Sequence, residues 1–295
     1  MEKTGNKEKI KESENGKILI KGLVIGSTMT LPGVSGGSMA MVLGIYDRLL
    51  KHVSEITKYP KESLTFLLWF AAGAGSGAFL FSRGISWLLT TRAEGVLRFF
   101  FLGAVAGGIP MILKSASVRR IRGRELICIL TGILTALLIA LIPQGMFAPE
   151  VENAPLNMLF QFAGGFIIAV ALVLPGISAS QILYMLGIYE STLKAVGRLD
   201  VFALFPLAAG GILGTFLTAR ILEQLIKKHR EATFLIILGF MLASLRSLLP
   251  GRLIQENMLF CGIALVAGFV SCLLYTSNKR LRSRHLLPCI SRRRQ

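Results

Sequence analysis

Two serine-rich turns hold the residues best suited to chemistry. Ser35-Gly36-Gly37-Ser38 follows Pro32-Gly33, and Ser178-Ala179-Ser180-Gln181 follows Pro175-Gly176. Each Pro-Gly pair interrupts an apolar run, so each serine stands where a new helix would begin. The first N–H groups of a helix lack partners and the dipole is positive there. Glycine lets a ligand approach the backbone, and serine can cap the helix. The chemistry such a turn offers is the binding of an anion. The same glycines and serines also suit close packing of membrane helices. Their recurrence, twice beside Pro-Gly, favours the ligand.

Other matched pairs add to these turns. Arg83 and Arg220 end two related helices, and a buried guanidinium can grip a phosphate through two parallel hydrogen bonds. The competing role is a snorkelling arginine that marks a helix end. Asp47 and Glu190 follow the paired tyrosines Tyr46 and Tyr189. A carboxyl in or near the bilayer could couple proton entry to transport, or could cap a helix or pair with Arg48. Glu94 and Glu231 are weaker candidates of the same kind, and the tyrosines read as interfacial anchors.

Enzymatic sites find little support. The three histidines are His52, His229 and His285, with no HExxH, nucleophile elbow or Walker-type glycine loop. Cys128, Cys261, Cys272 and Cys289 form no CxxC pair and read as small apolar residues. No catalytic residue, cofactor or metal is expected.

The elements that must position these residues are membrane helices. Hydrophobic residues make up 53% of the chain and charged ones only 17%, against about 25% charged in a soluble domain. Apolar runs near spanning length recur at 64–80, 96–113, 126–142, 201–217, 232–249 and 258–274. The polar, lysine-rich start predicts no cleavable signal peptide. The net charge of +17 lies largely in short loops and in the last twenty residues, so membrane orientation explains it and nucleic acid is not needed.

The chain is built twice from one unit. LPGVSGGSMAMVLGIYDRLL (31–50) aligns without a gap to LPGISASQILYMLGIYESTL (174–193), and AAGAGSGAFLFSR (71–83) to AAGGILGTFLTAR (208–220). Gly73, Gly77, Gly210 and Gly214 are best read as helix contacts. The arms 18–31 and 37–50 are about fourteen residues each, roughly 21 Å as helix, too short for a core of about 30 Å. They predict a re-entrant hairpin turning at Pro-Gly, the alternative being one kinked crossing. A hairpin leaves three crossings per half and inverts the second copy.

Charge supports that count. Both termini and the loops carrying Lys51, Lys58, Lys61, Arg119, Arg120, Arg122, Arg124, Lys227 and Lys228 fall inside, while the acidic loop with Glu150 and Glu152 falls outside. Arg83, Arg92, Arg98, Lys194 and Arg198 are misfits. The predicted architecture is an all-α polytopic membrane protein with an inverted internal repeat. A polar cytoplasmic segment covers 1–17, repeats cover 18–143 and 158–275, and an extracytoplasmic loop covers 144–157. The basic tail 276–295 reads either as an anchor for anionic head groups or as a stretch foreign to the fold.

The two P-G-x-S…G-I-Y segments resemble the hallmark segments of the DUF368 family of bacterial membrane proteins, over about Lys17 to Ser271. Members of that family are implicated as polyprenyl-phosphate (undecaprenyl-phosphate) transporters. The resemblance implies recycling of the lipid carrier of cell-envelope synthesis across the cytoplasmic membrane, with the carrier lipid and the bilayer as partners. One departure is Ala179-Ser180 in place of Gly36-Gly37, so the two turns need not bind alike. A small-anion or ion-coupled transporter would use the same doubled turns.

Overall fold

The computed structural model describes residues 2–29, 34–89, 91, 94–118, 122–142, 154–188, 192, 195, 198, 200–249 and 258–291; side chains are described for these except at 2–12, 82, 83, 85, 86, 89, 154–156, 180 and 278–291. Among the described residues all regular structure is helical. The first repeat contains α1 (Glu2–Met29), α2 (Gly36–Val42), α3 (Tyr46–Ser54), α4 (Pro60–Leu89), α5 (Glu94–Ser115) and α6 (Gly123–Ala140). The second contains α7 (Ala154–Val173), α8 (Ala179–Met185), α9 (Val201–Lys228), α10 (Arg230–Leu248) and α11 (Met258–Ser291). Six of these are long and apolar enough to cross a membrane: α4, α5, α6, α9, α10 and α11, three in each repeat. The apolar stretch of α7 is shorter.

The exterior confirms what composition implies. Phe202 is 92% exposed and Phe79 81%, on helices that would face acyl chains. The interior gathers around α2 and α10, where Met39, Met41, Phe234, Leu235, Ile237 and Met241 are buried. The chain is a polytopic all-α membrane protein.

Packing follows the duplication. Within the first repeat α1 lies along α4, and within the second α7 lies along α9. Between repeats α5 packs on α11 and α6 on α10, while α5 and α10 meet at the centre. Exchanging the repeats turns each of these contacts into its partner. A Cβ at Gly73 or Gly77 would run into the Leu19 and Leu23 carbonyls, and one at Gly210 into the Phe162 carbonyl. These glycines are therefore helix contacts, as expected. Lipid supplies no hydrophobic drive between helices, so close backbone approach must hold them.

The arm after each Pro-Gly differs from expectation. A single helix over 37–50 is predicted; instead it divides at Gly44, φ 59°, and in the second copy α8 stops at the matching Gly187, φ 69°. Gly44 N–H donates to Met41 O and Ile45 N–H to Ala40 O; Gly187 and Ile188 repeat the pattern on Tyr184 and Leu183. This is a Schellman end, which needs a left-handed residue that glycine adopts without strain. The doubled L-G-I motif is thus a helix stop, and in the first repeat the tyrosine that follows it, Tyr46, is buried.

Candidate functional site

Two short helices of two turns each follow the Pro-Gly pairs in sequence, α2 in the first repeat and α8 in the second. Ser35 and Ser178 occupy the N-cap positions of α2 and α8 with extended backbone, and neither side chain caps its helix. Ser35 is 7% exposed and Ser38 2%. The Ser38 hydroxyl has no hydrogen-bond partner among the described residues. A buried hydroxyl left unpaired costs about 1–3 kcal/mol, so its retention calls for a physical reason. In the second break Pro175 is fully buried and Gly176 turns at φ 91°.

The start of α2 touches the second break. A Cβ on Gly37 would sit 3.0 Å from Pro175 Cα, tight enough to push the start of α2 and the second Pro-Gly a few tenths of an ångström apart. Tyr46 reinforces the contact: its hydroxyl donates to the Val173 carbonyl at 2.9 Å, satisfying an acceptor at the end of α7. Tyr46 is buried, not an interfacial anchor as its sequence position suggested. Its partner lies in the other repeat.

Two cavities flank this contact and differ in character. One, of about 480 Å³, is walled by Gly36, Gly37, Tyr46 and apolar side chains, and shares Val53, Leu67, Leu172 and Thr215 with an apolar cleft of about 960 Å³. The other, of about 470 Å³, lies between α6, α8 and α10 and reaches Gly176 and Ser178. The first would take a hydrocarbon; the second is more polar.

Comparison with known proteins follows from this arrangement of paired breaks. Residues 25–260 match the family model described as undecaprenyl phosphate translocase-like. The chain belongs to that family. A polyprenyl-phosphate transporter of Vibrio cholerae serotype O1 is 28% identical over 247 residues, 79% of this chain and 77% of the relative. A polyprenyl-phosphate transporter of Staphylococcus aureus is 29% identical over 263 residues, 85% of this chain and 93% of the relative. Both names denote transport. No solved structure is matched. With six span-length helices among the described residues, this translocase-like chain is a multi-pass bacterial membrane protein.

The remaining predicted site residues of this family member distribute unevenly. Pro32, Gly33 and Glu190 lie outside the described residues, as do the side chains of Arg83 and Ser180. Arg220 is exposed on α9, next to Ala219, which lines the cavity at Gly36. Asp47 is exposed in the first turn of α3, where a carboxylate faces the positive helix end. Arg48 pairs with Glu14 at 3.6 Å, not with Asp47. Among the described residues no cluster of His, Cys, Asp and Glu could hold a metal.

The sequence reading passed over two polar features. Lys21 Nζ donates to the Leu43 carbonyl at 2.8 Å, placing a cation on the C-terminal end of α2. Ser54, Glu55, Glu223 and Lys227 tie α3 to α9: Lys227 pairs with Glu223 at 2.7 Å and Glu55 at 3.9 Å, and Ser54 donates to Glu223. None has a matched partner in the other repeat, so repetition could not reveal them.

His52, on the same helix, stacks on Phe66 with ring centroids 4.2 Å apart. Burial, then the charges of Arg48 and Lys51, hold its imidazole below the ordinary 6.5, against a partial pull from Glu62 and Glu55. Folded His52 resists a proton that the unfolded chain accepts, so acidification below about 6.5 removes stability. Thermal midpoints in detergent should fall more steeply toward acid pH for the wild type than for His52→Gln. Parallel profiles would assign the acid sensitivity to other groups.

Proposed function

We propose that this chain moves a polyprenyl phosphate, undecaprenyl phosphate or a close relative, across the bacterial cytoplasmic membrane to recycle the carrier for envelope synthesis. The observation that carries the reading is the contact of Gly37 with Pro175, which sets the start of α2 against the second P-G-x-S break beside an apolar cavity. The tail of such a lipid can stay in hydrocarbon while only the head group crosses. The barrier is dehydration of the phosphate, which a polar cleft between the repeats would offset. The names of the two bacterial relatives agree with this substrate.

In this reading Pro32-Gly33 and Pro175-Gly176 break two re-entrant hairpins, and Ser35, Gly36, Gly37 and Ser38, with Ser178 and Ser180, receive the head group. Arg83 and Arg220 assist, and Asp47 and Glu190 are the groups to test for proton coupling. Three spanning helices per repeat support an inverted second copy with both termini cytoplasmic. The process needs no bond making or breaking.

The test is a leaflet-exposure assay for polyprenyl phosphate in proteoliposomes, with and without a proton gradient. Joint replacement of Ser35 and Ser178 by alanine should slow inward movement at least roughly ten- to hundredfold, the worth of about one hydrogen bond to a charged group. Wild-type rates in that variant would remove the serines from the site. Ion flux in liposomes lacking the lipid would favour a small-anion transporter, and released inorganic phosphate an enzyme.

A further inference from the structure

We propose that the cavity between α6, α8 and α10 is a binding site for a phosphate monoester of an apolar alcohol, with the Arg246 guanidinium as its cation. The cavity, about 470 Å³, is lined by Gly176, Ser178 and Gln181 from the second break and by Ser244, Arg246 and Ser247 from the last turns of α10. The other described lining residues are apolar, Ala136, Leu137, Ala140, Leu141 and Ala243, and no carboxylate is among the described residues that line it.

Charge distinguishes Arg246 from its neighbour. Arg98 approaches the same corner, its Nη1 3.4 Å from the Ser247 carbonyl, but it is neutralised by Glu94 at 2.8 Å. The Arg246 side chain makes no ion pair or hydrogen bond among the described residues. The side chain is exposed, so placing it at the pocket carries little desolvation cost. The pocket therefore carries one uncompensated positive charge.

Donor geometry sets the ligand class. Ser244 and Ser247 hydroxyls donate to their own helix, at 2.8 Å to Met241 O and 2.6 Å to Ser244 O. The guanidinium fork and the Gln181 amide can both donate to an anion, and they suit the oxygens of a phosphate. The α6 wall suits a hydrocarbon attached to it, so a monoester fits better than the free ion. By contrast, no cation is among the described residues that line the cavity at Gly36.

That the monoester is a carrier lipid rests on the proposed function. α10 starts at Arg230, beside the basic pair Lys227 and Lys228, and Arg246 stands at its opposite end. With the basic end cytoplasmic, Arg246 faces the extracytoplasmic leaflet. The pocket is then where the carrier phosphate is first captured, ahead of the contact between α2 and the second break.

The test measures equilibrium binding of farnesyl phosphate, inorganic phosphate and farnesol to the purified full chain in detergent. Farnesyl phosphate should bind, farnesol should not, and Arg246→Gln should weaken binding at least about tenfold, the loss of a bidentate charged pair. Arg246→Lys should retain part of it, because a point charge replaces the fork; Lys58→Gln, an equal charge change far from the pocket, should bind as wild type. Wild-type affinity in folded Arg246→Gln overturns the site. Should Arg246→Gln fail to fold, unchanged affinity in Arg246→Lys at both low and high salt overturns it instead. Binding of inorganic phosphate alone, lost in Arg246→Gln, keeps the anion site but removes the lipid reading. Unaltered lipid movement in proteoliposomes with unaltered binding in Arg246→Gln removes the site and leaves the transport function standing. No binding of either phosphate overturns the site.

Discussion

Gly176→Ala is expected to cost about 2–5 kcal/mol of stability and to leave little protein folded in the membrane. Two terms act together at this position. Its φ of 91° lies in the left-handed region, which costs an L-residue about 1–2 kcal/mol. A Cβ would also sit 2.5 Å from the Phe240 carbonyl carbon and 2.8 Å from Met241 N, backbone atoms of a buried helix that cannot swing aside. Overpacking of that kind adds about 1–3 kcal/mol. The control is Gly75→Ala, where a Cβ meets nothing within 4 Å and the helix gains propensity, so stability should hold or rise slightly. Thermal midpoints and the yield of monodisperse protein in detergent measure both. Equal behaviour of the two variants would mean that the second break is loosely packed, and the contact between α2 and that break would lose its support.

The fold was legible where its cause is repetition or bulk composition. A membrane protein with three spanning helices per half follows from the apolar runs, and the glycines at Gly73, Gly77, Gly210 and Gly214 announce close contacts because their spacing puts them on one helix face. The hinges at Gly44 and Gly187 were harder to see. Glycine is common in membrane helices, and an apolar run conceals a stop whose signal is two backbone hydrogen bonds. Tyr46 was misplaced for a different reason: an amphipathic tyrosine beside an acidic residue fits an interface, and its actual partner is a carbonyl 127 residues away. Arg246 escaped because duplication was the filter. The offset that pairs Glu94 with Glu231 sets Ile109 against it, so a site present in one repeat leaves no doubled trace. Asymmetry matters for transport, since two identical sites facing opposite leaflets would impose no difference between capture and release.

Tyr46 supplies the second large effect, and its two substitutions separate two kinds of stabilisation. Tyr46→Ala removes a buried aromatic ring that touches the cavity at Gly36, and truncation of a buried aromatic costs about 3–5 kcal/mol. Tyr46→Phe keeps the ring and removes only the hydroxyl that donates to Val173 O at 2.9 Å. No water competes for that carbonyl in a hydrocarbon surround, so leaving it unpaired costs about 1–3 kcal/mol. The carbonyl belongs to the residue that ends α7, two positions before Pro175, which has no N–H to give. Loosening it should let the second break drift from Gly37, so Tyr46→Phe is expected to lose transport out of proportion to its stability loss. The measurement pairs thermal midpoints with the leaflet-exposure rate for wild type, Tyr46→Phe and Tyr46→Ala. If Tyr46→Phe matches wild type in both, the hydroxyl does not hold the repeats together at the second break, and the ring alone accounts for the burial of Tyr46.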